Sequence, residues 1–211
     1  MDASTRGALR TLHADDGSTA QSRRRERILD ATLALAAKGG YDAVQMRAVA
    51  ENADVALGTL YRYFPSKVHL LVSGLARELE RTADKLGRTR IPGEDAYERV
   101  LHVLERTTRA LQRSPQLTEA MTRAFMFADT SASPEVDAVA GLVERLFTRA
   151  MTEAEPTEEQ RSIARVIGDV WLSNLVGWVT RRASASDVAN RLELTARLLL
   201  VRSPPEPGTP G

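Results

Sequence analysis

The chain of 211 residues contains no cysteine. That excludes a disulfide framework and any thiolate metal site. Histidine is scarce too: His13, His69 and His102 are the full set, with no spacing that argues for zinc. No apolar run is long enough to span a bilayer, and Asp2, Arg6 and Arg10 interrupt the stretch where a secretory signal would need an apolar core. The expectation is a cytoplasmic protein with no membrane partner. Aromatics make up 5% of the residues, and no stretch alternates with the period of two that a half-buried strand requires. Ala, Leu, Arg and Glu dominate instead, so the expected fold class is all-α. Net charge is also nearly absent, at +1, and bulk electrostatics therefore announce no nucleic-acid partner.

The distribution of charge says more. Residues 21–67 hold eight Lys/Arg against five Asp/Glu, whereas residues 68–211 hold nineteen against twenty. The positive excess coincides with QMRAVAENADVALGTLYRYFPSK, from Gln45 to Lys67. This segment reads as two short helices, about 46–52 and 56–63, joined by the turn Ala53-Asp54-Val55. Val44, Val49, Ala50, Val55, Leu60 and Phe64 are spaced to pack against a preceding helix, which leaves Arg47, Leu57, Gly58, Thr59, Tyr61 and Arg62 turned away. A slim helix carrying such groups suits the major groove of DNA. Gly58 would let the backbone approach closely, Thr59 offers a methyl or a hydroxyl to a base edge, and Arg47 has the fork that pairs with guanine.

The preceding helix is expected from Ser22, an N-cap residue, through Ile28, Thr32, Leu35 and Ala36 on one face to the Gly39-Gly40 stop. Arg23, Arg24, Arg25 and Arg27 would crowd its first turns, where the helix dipole disfavours cations; they serve either an external anion or a solvated face. Residues 1–20 and the proline-rich 203–211 read as disordered tails. Downstream, helices are expected from Lys67 to about 86, then over 94–113, 116–128, 135–151, 157–181 and 185–201, with Pro115, Pro134 and Pro156 marking starts. This divides the chain into a three-helix helix-turn-helix DNA-binding domain, 21–66, and a larger helical domain, 67–202.

The run Val55-Ala-Leu-Gly-Thr-Leu-Tyr-Arg-Tyr-Phe-Pro-Ser-Lys67 resembles the TetR family of transcriptional regulators. The family pattern at these positions is Gly-(Thr or Asn)-Leu-Tyr-aromatic-His-Phe-x-(Ser, Thr or Asn)-Lys. The resemblance implies a repressor, not an enzyme, that binds palindromic double-stranded operator DNA as a homodimer and answers to a small-molecule effector. It also implies phosphate contacts for Tyr61, Tyr63 and Lys67. Three departures from the pattern stand out: Asp54 stands where a turn glycine is common, Tyr63 replaces the usual His, and Gln45-Met46 replaces a threonine pair. Gln45, Met46 and Arg47 are the candidate DNA contacts of the second helix. The blocks 38–47, 117–124 and 169–175 further resemble the branch of the family that governs sterol catabolism in actinobacteria. That branch implies a steroid acyl-CoA thioester as effector, with no cofactor.

The larger domain has two features of its own. Ile163, Ile167, Val170, Trp171, Leu175 and Val179 place apolar groups nearly all round one helix, and Leu192, Leu194, Leu198, Leu199 and Leu200 add a second apolar surface. The two together predict a homodimer interface of two helices per subunit, with Gly168, Ser173 and Gly177 permitting close approach; the alternative is an ordinary bundle core. Leu117, Met121 and Phe125 on one helix, and Trp171, Asn174 and Trp178 at i, i+3, i+7 on another, are candidate walls of an apolar effector cavity. Each residue is also an ordinary core type. Two rival readings stand beside the repressor. Glu98, His102 and Glu105 share one helix face, but a di-iron bundle needs Glu-x-x-His on two helices. A lipid or acyl-CoA carrier would share the cavity yet give Tyr61-Arg62-Tyr63 and Lys67 no purpose. A family repressor with a different apolar effector is the nearer alternative.

Overall fold

The computed structural model describes residues 3–201, with side chains from residue 19 onward. The described residues form helices and no strand, in keeping with the composition. α1 spans Ala3–Ala43 and breaks at Gly39 and Gly40, where Gly40 takes φ +67. α2 (Met46–Asn52) and α3 (Leu57–Tyr63) follow, then the long α4 (Lys67–Gly87). Next come α5 (Ala96–Gln112), α6 (Pro115–Met126), α7 (Ser133–Met151), α8 (Glu158–Val179) and α9 (Ala185–Leu200). A single 3₁₀ turn, Thr130–Ala132, precedes α7.

Helix ends follow local chemistry. Ser66 caps α4 by accepting from the Val68 amide, and Asp95 caps α5 through the Glu98 amide. Thr157 with Gln160, and Ser184 with Asp187, close capping boxes at the starts of α8 and α9. The downstream boundaries lie within about two residues of those expected from sequence.

The first helix differs from expectation: it begins at Ala3, so the backbone read as a tail up to residue 20 is helical where described. Alanine, leucine and arginine favour a helix, and each of the two glycines, Gly7 and Gly17, costs only about 1 kcal/mol against that. The consequence falls on Arg23, Arg24, Arg25 and Arg27, which lie far from a helix start. The dipole argument for an anion there therefore lapses. The carboxyl-terminal stretch 203–211 lies outside the described residues.

Two packed bodies share α4. In the first, Ile28, Leu29, Val44, Val49, Leu60 and Phe64 are buried among α1, α2 and α3. In the second, α4 lies against α6 and α7, while α8 covers α7 and α9 closes against α5 and α8. One side of α4 faces α1. A Cβ on Gly74 would meet Leu33 Cδ2 at 2.9 Å, and buried Arg77 pairs with Glu26 at 3.0 Å and Asp30 at 2.9 Å. Leu75 and Leu79, on another side of the same helix, face the interior of the larger body.

Candidate DNA-reading head and effector cavity

The turn between α2 and α3 forms as the residue types allow. Asp54 sits at φ +52, the left-handed region that a short polar side chain tolerates in place of glycine. Gln45 stands at the N-cap of α2 with no side-chain cap bond, the loss expected where the threonine pair is missing. On the outer surface, Gln45, Arg47, Gly58, Tyr61 and Arg62 are exposed, while Met46, Leu57, Thr59 and Tyr63 are half-buried. A Cβ added at Gly58 would meet no atom of the chain within 4 Å. The gap serves nothing inside the protein, so it is free for an approaching backbone. Leu60 and Phe64 anchor α3 from beneath. Tyr63 packs tilted against Phe64, ring centroids 6.4 Å apart, with the Arg62 guanidinium 5.9 Å from its own ring.

Lys67 has partners inside the chain that the motif does not announce. It opens α4, but its Nζ lies 3.9 Å from the Tyr41 ring centroid and donates to the Tyr41 carbonyl at 3.5 Å. Arg123 of α6 lies over the same ring at 4.5 Å, so two cations meet Tyr41. Glu119 of α6 accepts from the Tyr41 amide at 3.1 Å, and Arg123 pairs with Asp42 at 3.7 Å. This clasp ties the end of α1 to α6. Nothing in the linear motif signals it, because its partners lie up to 82 residues apart.

His69, which no motif singled out, is buried on α4. Its Nδ1 lies 3.0 Å from Ser66 Oγ and its Nε2 3.1 Å from the Ser131 carbonyl. The hydroxyl and amide of Ser131 hold the nearby Asp129 carboxyl below its ordinary range.

Behind α4 lies a cavity of about 150 Å³. Its walls are Leu75 and Leu79 of α4, Leu111 of α5, Met121 and Phe125 of α6, Val139 and Val143 of α7, and Trp171, Leu172 and Leu175 of α8. Thr118, Thr122, Glu144, Arg165 and Asp169 add the polar edge. Three of the six residues expected here, Met121, Phe125 and Trp171, thus line it. The Trp171 indole N–H donates to Thr108 Oγ1 at 2.9 Å, which leaves only its apolar surface for a ligand.

The other three do not line it. Leu117 packs half-buried against the core. Trp178 sits by Gly39, Gly40 and Gln116 at the α1–α6 junction. Asn174 turns its Nδ2 back to the Val170 carbonyl at 2.8 Å. Three residues on one helix at i, i+3, i+7 share a stripe, but the stripe runs past the end of the cavity. The leucines of α4 and the valines of α7 were missed, since a core leucine and a cavity leucine look the same in sequence.

The glycines also resolve inward. A Cβ on Gly168 would meet Val143 Cγ1 of α7 at 2.8 Å, and one on Gly177 would meet Ala183 at 3.5 Å. At Gly168 the closeness serves packing against α7, whereas the Gly177 contact is an ordinary one. His102, Glu98 and Glu105 do not gather a ligand set: among the described residues no group of three His, Cys, Asp or Glu could hold a metal ion. Among the described residues, too, no helix is long and apolar enough to cross a membrane.

Comparison with known proteins agrees with this architecture. Residues 28–73 match the model for bacterial regulatory proteins of the tetR family, and residues 93–199 match a tetracyclin repressor-like C-terminal domain. The chain is 69% identical over 194 residues to the HTH-type transcriptional repressor KstR of Rhodococcus jostii RHA1, covering 92% of this chain and 91% of that one. Among solved structures, a TetR transcriptional regulator from Rhodococcus sp. RHA1 superposes with a TM-score of 0.79 at 34% identity, covering 86% of this chain and 97% of that one. Thermus thermophilus FadR, a TetR-family repressor solved with lauroyl-CoA, shares the fold at a TM-score of 0.63 and 23% identity, covering 88% and 100%. An α2–turn–α3 head with an open outer face, joined by α4 to a helical body of matching extent, places this chain in the TetR family as a transcriptional repressor with a helix-turn-helix DNA-binding domain.

Proposed function

We propose that the chain is an effector-released repressor, in which a steroid acyl-CoA thioester enters the cavity behind α4 and loosens a homodimer from palindromic operator DNA. The head, 21–66, reads DNA, and the body, 67–202, binds the effector and the second subunit. Arg47 and Thr59 read base edges, Gly58 admits the backbone, and Tyr61, Tyr63 and Lys67 hold phosphates, with Gln45, Met46, Leu57 and Arg62 completing the contact surface. The sterol assignment draws support from the likeness to the KstR repressor. The thioester draws support from the lauroyl-CoA held by a repressor of the same fold.

The observation that carries the mechanism is the two-sided use of α4. Leu75 and Leu79 wall the cavity, while Gly74 and Arg77 of the same helix hold α1 of the head. At about 150 Å³ the cavity is smaller than the roughly 300–1,000 Å³ typical of sites for ligands of drug size. A steroid therefore enters by pushing α4 and α6 away from α7 and α8. Because both displaced helices grip α1, the head moves with them. A ligand shifts the equilibrium only by its differential affinity, and here the expanded cavity supplies it.

Fluorescence anisotropy on the chain's own upstream intergenic DNA tests this reading, with cholanoyl-CoA, cholanoic acid and palmitoyl-CoA as additions. Specific binding reversed by the steroid thioester is the expected result. Specific binding reversed by none of them removes the steroid assignment, and the absence of specific binding to any operator removes the repressor reading.

A further inference from the structure

Beyond the acyl cavity, and resting on the thioester reading above, we propose that the open groove between α4 and α5 binds the phosphates of the effector's coenzyme A. The groove, about 460 Å³, is lined by Lys85 of α4, by His102, Arg106 and Arg109 of α5, and by Arg113 at the C-cap of α5. These α5 residues fall at i, i+4, i+7 and i+11, which is one helix face. Arg109 is paired with Glu105, whereas Lys85, Arg106 and Arg113 are exposed and have no ion-pair partner among the described residues. Four cations thus line the groove without a carboxylate in its wall. Like charges gathered this closely repel one another, and a bound polyanion relieves that cost.

The groove and the cavity lie along the same faces of α4 and α5, with no lining residue in common. On α4 a single stripe runs from Leu75 and Leu79 in the cavity to Thr82 and Leu86 in the groove; on α5, Leu111 belongs to the cavity and Thr107 and Ala110 to the groove. From Leu79 to Lys85 is about 9 Å along the helix axis, a distance an extended pantetheine arm covers. A thioester with its steroid inside and its arm along this seam would bring its pyrophosphate and 3′-phosphate among the arginines. Arginine forks suit such groups bidentately.

Two other basic sites fit less well. At the α7–α8 edge of the cavity, Arg165 is outnumbered by Glu144 and Asp169. In the loop groove of Arg88 and Arg90, Arg99 donates to the Ala150 and Met151 carbonyls, Arg149 donates to the Gly87 carbonyl, and Glu153 stands in the wall. DNA is not the partner of the α4–α5 groove: Lys85 lies 18 residues beyond Lys67, about 27 Å along α4 from the reading head.

Isothermal titration of the full chain with cholanoyl-CoA, cholanoic acid and free coenzyme A tests the assignment. In R106A/R113A the Kd for cholanoyl-CoA should rise at least about ten-fold, the loss expected for two charge-assisted contacts, while that for cholanoic acid stays unchanged. R88A/R90A should bind all three as the wild type does. Equal thioester affinity in R106A/R113A and wild type overturns the proposal, as does a loss confined to R88A/R90A. A wild-type chain that binds the acid but not the thioester refutes the underlying thioester reading, and that outcome is seen without any variant.

Discussion

Gly58 shows how much one residue can separate stability from function. Within the chain its missing side chain fills no need, because a Cβ there would touch nothing. Alanine should raise helix stability by up to about 1 kcal/mol. On the proposed DNA-facing surface the same methyl would stand in the path of a DNA backbone. Gly58→Ala should therefore raise the melting temperature and weaken operator affinity; equal operator affinity would show that the surface of α3 at Gly58 does not face DNA. At this scale the sequence was readable wherever a residue's role depends on its own conformation. Asp54 at φ +52 and Gln45 without a cap bond both follow from side-chain chemistry alone. Lys67 was not readable in this way: its ring and carbonyl partner, Tyr41, lies 26 residues away, across the first body.

At the scale of the element, the proposed coupling runs through α4 and α6, each with one side on the cavity and another on α1. For α6, Met121 and Phe125 face the cavity while Glu119 and Arg123 hold Tyr41 and Asp42. For α4 the polar grip is Arg77, only 6% exposed, with Glu26 and Asp30 half-open to solvent opposite it. Arg77→Met keeps much of the volume and removes the charge-assisted bonds, with an expected loss of about 1.5–3 kcal/mol in denaturant unfolding. It should also let the head move without the body, so that the thioester still binds but releases the operator less completely. Unchanged release would move the coupling to α6 alone. Helix existence and the ends downstream of α1 were legible because caps, prolines and apolar periodicity are local; the start of α1, at Ala3 rather than Ser22, was not. The cavity lining was legible only in part. Which of many leucines face a void depends on how α4, α6, α7 and α8 cross, and that geometry is set by distant contacts.

For the whole molecule, the proposed dimer rests on what the single chain leaves uncovered. Ile167, Trp171 and Leu175 of α8 are satisfied inside the body, yet Val166 remains 46% exposed, Leu194 45% and Leu198 72%. Exposed apolar groups on two adjacent helices are what a self-complementary surface needs. The apolar girth of α8 was legible as excess. How much of it one chain absorbs was not, and Gly168 turned out to serve α7. Leu198→Glu should change the stability of one subunit by no more than about 0.5 kcal/mol, since the side chain is already exposed, while sedimentation equilibrium shows monomers. A dimer of unchanged strength would place the interface elsewhere.

The central claim is that filling the cavity moves the two heads relative to each other. The absence of cysteine makes this directly measurable, because Glu51→Cys on exposed α2 gives one labelling site per subunit. The decisive measurement is the spin-label distance between the two heads by pulsed electron resonance, with and without cholanoyl-CoA. A shifted or broadened distance distribution with the thioester, and none with free coenzyme A, is the predicted result. A distribution that stays the same when the thioester is bound would contradict the account.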